Sequence, residues 1–271
     1  MTPAPGKLRL GGMALRNGLL VHGPAHWAAA VRADDGTLRV ASGRKPRVQA
    51  LDGVPGVRGI ARLGEAFAVI PLVKRALPQA KLPFESAGVV GSAAAASLAG
   101  ATLRRRLGAG AGEAAATVLA LAPAMLALRG GELAAYHGVE HKAIAAYEAV
   151  DERDAAEAAK EHDRCGSHLV APMLASNVAG TLLLRRLLER PNVLAGGAVA
   201  VASTAVAVEV FAWSERHAGT RVARALRRPG FEIQRLVGTR EPDERQLDVG
   251  RAALAEILRV EAPQADMGLG P

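Results

Sequence analysis

The sequence holds a single cysteine, Cys165, among 271 residues. One thiol can form neither an intramolecular disulfide nor a multi-cysteine zinc knuckle. Aromatic residues are nearly as scarce, with two Trp, two Tyr and four Phe making up 3% of the chain. A net charge of +8 raises the question of nucleic acid. However, single-strand binders need aromatic platforms among their cations, and no Lys/Arg run here is interleaved with aromatics. Nucleic acid is therefore not an expected partner. Lysine is rare too: six of the 34 basic residues are Lys, leaving 28 Arg. There is no Walker-type phosphate loop, no G-x-G-x-x-G ahead of a helix and no G-x-S-x-G nucleophile elbow.

What the chain does have is apolar content. Half of its residues are hydrophobic and 22% are charged, which excludes disorder and allows a sizeable core. Apolar content beside a sequence pI near 10.3 fits a membrane protein with cationic loops. Four segments, 86–103, 114–128, 168–184 and 193–208, carry almost no charge. Each lies near the short end of the spanning range of about 17 to 25 residues. Small residues such as Gly91, Ser92, Gly180, Gly196 and Gly197 would let such helices approach closely. The competing readings are a re-entrant pair and the buried helices of an Ala-rich soluble bundle.

The expected fold class is a mainly α membrane protein. It has about four short transmembrane or re-entrant helices, a small N-terminal β-structure and C-terminal amphipathic helices. Residues 1–56 read as a small β-rich region, with strands at 27–32 and 37–40 around the Asp34-Asp35-Gly36 turn and a break at Pro55-Gly56. Residues 57–82 read as one amphipathic helix over 58–77 followed by a linker, with Ile60, Leu63, Phe67, Ile70 and Val73 on one side. Residues 83–212 form the membrane region, with a central loop at 130–168. Residues 213–271 form a basic helical tail. Within it, 216–228 places five Arg around Val222, Ala223 and Leu226 and reads as an interfacial helix ended by Pro229-Gly230. A final amphipathic helix is expected over 245–260.

No signal-peptide h-region is expected at the N-terminus. Arginine clusters at 104–106 and 185–186, with Arg190, face basic termini across the expected spans, so charge alone does not choose an orientation. A lone thiol favours both termini and the central loop in the cytoplasm of a multi-pass inner-membrane protein. Membrane lipids are the expected partners, protein partners are unspecified, and a homo-oligomer is compatible with the sequence.

The most informative segment is Tyr136-His-Gly-Val-Glu-His-Lys142. In a helix, His137 and His141 stand at i and i+4 on one face, the spacing with which two imidazoles grip one Zn²⁺. Glu140 would sit beside the metal as general base, and the order H-x-x-E-H is that of the inverzincins. Glu148 lies two turns further along the stripe as a possible ligand or orienting group. A second cluster, Glu161-His162-Asp163-Arg164-Cys165-Gly166-Ser167-His168, adds His162 and Cys165, both donors suited to Zn²⁺. Gly166 would allow a sharp turn beside the site.

These segments resemble the YqhQ family. The resemblance is carried by Gly11-Gly12, Asn17-Gly18, Gly23-Pro24 and Arg58-Gly59, by His137-Gly138-x-Glu140-His141-Lys142 with Tyr147-Glu148, and by Arg164-Cys165-Gly166-Ser167. It is also carried by the tail Pro229-Gly230…Gln234-Arg235…Thr239-Arg240-Glu241-Pro242. It implies a bacterial membrane protein of unknown function, with plastid relatives, from a family described as metal-dependent enzymes. Met13 and Asn17 depart from the family's Gln and Glu, Leu20-Val21-His22 from its Met-Met-Arg run, Asp163 from its Pro, and Gly238 from its paired threonines. Three functions compete: a Zn²⁺-dependent membrane hydrolase of peptidase type, a non-catalytic module with a structural metal, and a metal-free scaffold in contact with lipid.

Overall fold

A computed structural model describes residues 6–48, 50, 57–129, 131–149, 154–189 and 191–265. The expected break at Pro55-Gly56 and the residue Arg190 lie outside the described residues. Strands β1 (Gly11–Leu15), β2 (Gly18–His22), β3 (His26–Arg32) and β4 (Leu38–Arg44) form an antiparallel meander in the order β1-β2-β3-β4. The Asp35-Gly36 turn forms as expected. Gly36 takes φ +81°, a conformation costly for any residue with a Cβ, and the Asp35 carboxylate accepts the Thr37 N–H at 2.8 Å. At the β1–β2 turn, the Asn17 side chain donates to the carbonyls of Arg32 and Gln79 and accepts from the Lys81 N–H. Both faces of the sheet are covered, so β2 and β3 read as apolar runs rather than as an alternation.

Against the face carrying Leu15, Leu20, Trp27 and Val31 pack Val69, Val73 and Leu77. They come from the junction between α1 (Arg58–Ala68) and α2 (Ile70–Ala76), from α2 itself and from the linker that follows. The single helix expected over 58–77 is thus two. Pro71, in the first turn of α2, has no N–H and its ring would clash with the preceding turn, so the chain breaks at Val69.

Two helical hairpins follow. The first pairs α3 (Ala87–Arg106) with α4 (Ala109–Leu119) and α5 (Ala122–Arg129), turning at Gly108 with φ +75°. Gly100 against Ala116 and Gly112 against Arg104 set their close antiparallel approach. Then come α6 (Glu132–Glu148) and the second hairpin, α7 (Val170–Leu187) with α8 (Val193–Arg216), where Gly180 abuts Val199. Among the described residues, three stretches, not four, are long and apolar enough to cross a membrane: Gly110–Arg129, Gly166–Leu187 and Val193–Arg216. The first expected segment forms the helix α3, but Gly88, Gly91, Ser92, Ser97 and Thr102 dilute its apolarity below that of the others.

Helix α9 (Arg221–Ile233) runs straight through Pro229-Gly230, which does not end it, and a π turn carries the chain to Gly238. The exception has a packing cause: a Cβ on Gly230 would lie 2.7 Å from the Cα of His168, and the His168 Nδ1 donates to the Arg227 carbonyl at 2.9 Å. Helix α10 (Glu244–Ala265) then crosses the second sheet face, where Val249, Ala253 and Ile257 join Val139 and Ile144 of α6 over Leu19, Val21, Ala28 and Ala30. The sheet, α6 and the C-terminal helix therefore share one core.

Both ring nitrogens of His22, at the end of β2, are out of solvent. Burial, and then the charge of Lys45, lowers its pKa from 6.5 to about 4. A histidine held neutral in the fold protonates first in the unfolded chain. Stability should therefore be complete above pH 6.5 and fall as pH drops toward 4, by at most about 3 kcal/mol. Thermal melts in detergent at pH 7 and pH 4.5 should show this acid limb shrinking in His22→Leu; an unchanged limb would place the loss at other groups.

Candidate metal centre

Helix α6 is buried nearly all round: Leu133, Tyr136, Val139 and Ile144 enter the sheet core, and Ala146 enters a smaller cluster with Ala155, Ala158 and Leu247. A polar face on such a helix needs dedicated partners. They come from the segment after α9 and from residues 156–160. The Arg240 carbonyl would lie 2.3 Å from a Cβ on Gly138, so glycine between the two histidines is what lets that segment cross α6. The Arg240 N–H donates to the Ala134 carbonyl at 2.9 Å. Lys142 donates to the carbonyls of Ala156 and Ala158 and pairs with Glu241 at 2.6 Å.

Within this frame, His137 and His141 face one another with ring centroids 4.4 Å apart. The Nδ1 of His137 lies 2.8 Å from the Gly238 carbonyl, and the Nδ1 of His141 lies 2.6 Å from the Lys160 carbonyl. Carbonyls only accept, so each Nδ1 carries the proton and each Nε2 presents a lone pair. The Cys165 Sγ is 3.3 Å from the His137 Nε2. The three ligand atoms lie within 4.8 Å of one another. The His141 Nε2 is buried and has no hydrogen-bond partner.

Cys165 opens a 3₁₀ turn at Gly166–Leu169 and its sulfur accepts from the Ser167 N–H at 3.5 Å. Gly166 begins this tight turn without a positive φ, and it lines the cavity without filling it. Two residues outside the expected set hold this loop. Arg164 pairs with Glu148 and donates to the Leu10 carbonyl. The wholly buried Gln234 donates to the Ser167 hydroxyl and accepts the His162 N–H. The glutamine's only sequence signal is its place in the tail motif.

His162 and Glu148 lie beside this group rather than within it. Burial, then the neighbouring His141 and Arg164, pushes the His162 pKa down to about 3, so its ring is neutral. Its Nδ1 accepts the Arg164 N–H, which leaves the proton on Nε2, 3.9 Å from Glu148. Glu148 is occupied by Arg164.

Glu140 sits at the wall of a cavity of about 410 Å³ that also exposes His137, His141 and Cys165. Its carboxylate accepts the Ala14 N–H of β1, while desolvation by the surrounding protein raises its pKa above the ordinary carboxylate value. A Cβ on Gly12 would stand 2.6 Å from the Glu140 Cγ, which explains the glycine opposite it. Leu10, Met13, Leu128, Leu133 and Ile144 supply apolar wall.

Residues 132–260 match the model of a family described as a protein of unknown function, DUF1385. The match begins at the first residue of α6 and spans His137, Glu140, His141, Cys165 and the 239–242 crossing segment. The sheet and helices α1–α5 lie outside it. No curated protein and no solved structure matches the chain.

Proposed function

We propose that this is an integral membrane protein whose centre holds a divalent metal, zinc, through the Nε2 atoms of His137 and His141 and the thiolate of Cys165, and that it uses Glu140 in hydrolysis. The observation that carries the metal is the buried, partnerless Nε2 of His141. A desolvated lone pair without a donor is costly, and two imidazoles with one thiolate form a donor set suited to Zn²⁺. The backbone carbonyls behind both Nδ1 atoms fix the tautomers, as outer partners of ligating histidines ordinarily do.

Three protein donors beside an open cavity favour catalysis over a closed structural site, which would need a fourth. Bound zinc would supply a water acidic near pH 7 and polarise a substrate carbonyl. Glu140, raised in pKa and open to the cavity, is placed to take a proton and return it to a leaving group. Gly12 gives its side chain room.

Three observations support membrane insertion. In the three apolar stretches only 22%, 6% and 11% of the most apolar window is buried in protein. A soluble bundle would hide those surfaces, and a bilayer covers them. Helix α3 is less apolar than those three, but it runs back along α4 and α5 and would add a fourth crossing, because Pro83 before it lines the cavity while Arg104 at its other end pairs with Glu113 of α4. Four crossings then return the sheet, α6 and α10 to one side, as their shared core requires.

Elemental analysis of detergent-purified protein tests the metal. Near-stoichiometric zinc is expected, and a metal-free, fully folded preparation would leave a scaffold.

A further inference from the structure

Helix α1 is built inside out for a protein in water. Leu63 and Phe67 on its apolar side are 37% and 51% exposed. Glu65, two residues from each and so about 200° round the helix from both, is 4% exposed and accepts the Val48 N–H at 2.6 Å. The helix thus turns its carboxylate inward and its large apolar side chains outward.

Its depth is set by α8. A Cβ on Gly59 would lie 2.3 Å from the Cγ1 of Val208, so the two helices touch there. Val208 closes the uncharged run of α8, Glu209 follows it, and the end of α8 at Arg216 is eight residues on, about 12 Å along the axis. In a spanning α8, the first charge after that run would mark the approach to the headgroups.

Helix α9 flanks the same end of α8 and repeats the pattern. It buries Ala223, Arg227 and Gly230 and exposes Val222 and Leu226 between the exposed Arg221, Arg224 and Arg228. An apolar stripe edged by long cationic side chains suits a surface with anionic headgroups, into which the arginine stems can lie while their charges reach phosphate.

We propose that α1 and α9 lie in the headgroup layer of an anionic bilayer, forming a collar around one end of α8. The proposal rests on the membrane reading above but is separable from it by experiment. The full chain is reconstituted in vesicles of phosphatidylcholine and phosphatidylglycerol, with Phe67→Trp, Val222→Trp and, as a marker of a spanning helix, Val118→Trp. Fluorescence in excess of the wild-type signal is quenched with lipids brominated near the top or near the end of the acyl chain.

Phe67→Trp and Val222→Trp should emit to the blue and lose most intensity to the shallow bromines, and Val118→Trp to the deep ones. Loss of shallow quenching at Val222→Trp when phosphatidylglycerol is omitted would confirm the arginine contribution. Quenching at Val118→Trp without any at Phe67→Trp would overturn the collar and leave the spans standing. Blue emission at Phe67→Trp that lipid does not quench, in a chain that sediments as a dimer, would also overturn it and give the face to a second copy. Release of the protein by carbonate, with no quenching at any position, would remove the membrane reading and the collar together.

Discussion

His141→Ala should purify folded and without metal, and His137→Ala should do the same. Each substitution deletes one of the three donors that converge within 4.8 Å among the described residues, and the two neighbouring candidates are otherwise engaged. His162 carries its proton on the nitrogen that does not accept from Arg164, and Glu148 is held by Arg164. The loss should therefore exceed the roughly 10- to 100-fold weakening that follows removal of an outer partner. His162→Ala and Glu148→Gln provide that comparison: both should keep zinc, bound more weakly by no more than that outer-partner factor. Metal content measured across the four variants decides the ligand set. If His162→Ala strips the metal as completely as His141→Ala, the site is four-coordinate and closed, and the hydrolytic reading gives way to a structural zinc.

The pair of histidines was legible because i and i+4 on a helix is a fixed geometry, whatever surrounds it. Which residue joins them was not. Cys165, His162 and Glu148 all stand at plausible distances along the chain. What separates them is how Arg164 engages two of them: its N–H on the His162 Nδ1, and its side chain on Glu148. Those contacts depend on a turn whose clamp, Gln234, comes from nearly seventy residues away. The Asp34-Asp35-Gly36 turn and its flanking strands were readable for the same local reason as the histidines. Errors came where distant packing decided. Pro229 ought to stop a helix, but Gly230 seated on His168 carries α9 past it. Pro71 was readable as a break and lay within an apolar periodicity that suggested continuity. Gly12 and Gly138 could be seen as glycines, yet their reason, room for the Glu140 side chain and for the Arg240 carbonyl, exists only once β1, α6 and the tail have met.

Glu140→Gln should separate holding the metal from using it. The substitution preserves size and leaves an oxygen to accept the Ala14 N–H, so α6, β1 and the cavity wall should be undisturbed. Glu140 is absent from the group of three convergent donors, so zinc content should match wild type. What disappears is a carboxylate able to take up and return a proton, and losing a general base ordinarily costs about 10²- to 10⁴-fold in rate. The variant should thus be folded, membrane-inserted and zinc-loaded, yet fail to complement a deletion strain. Glu140→Asp should restore part of the function, since it returns the carboxylate one methylene short. Two controls keep the result specific. A metal-free Glu140→Gln protein would make Glu140 part of metal retention rather than proton transfer. Full complementation by Glu140→Gln, alongside failure of both histidine variants, would mean that the zinc holds α6 to the Cys165 turn and that no chemistry passes through the cavity.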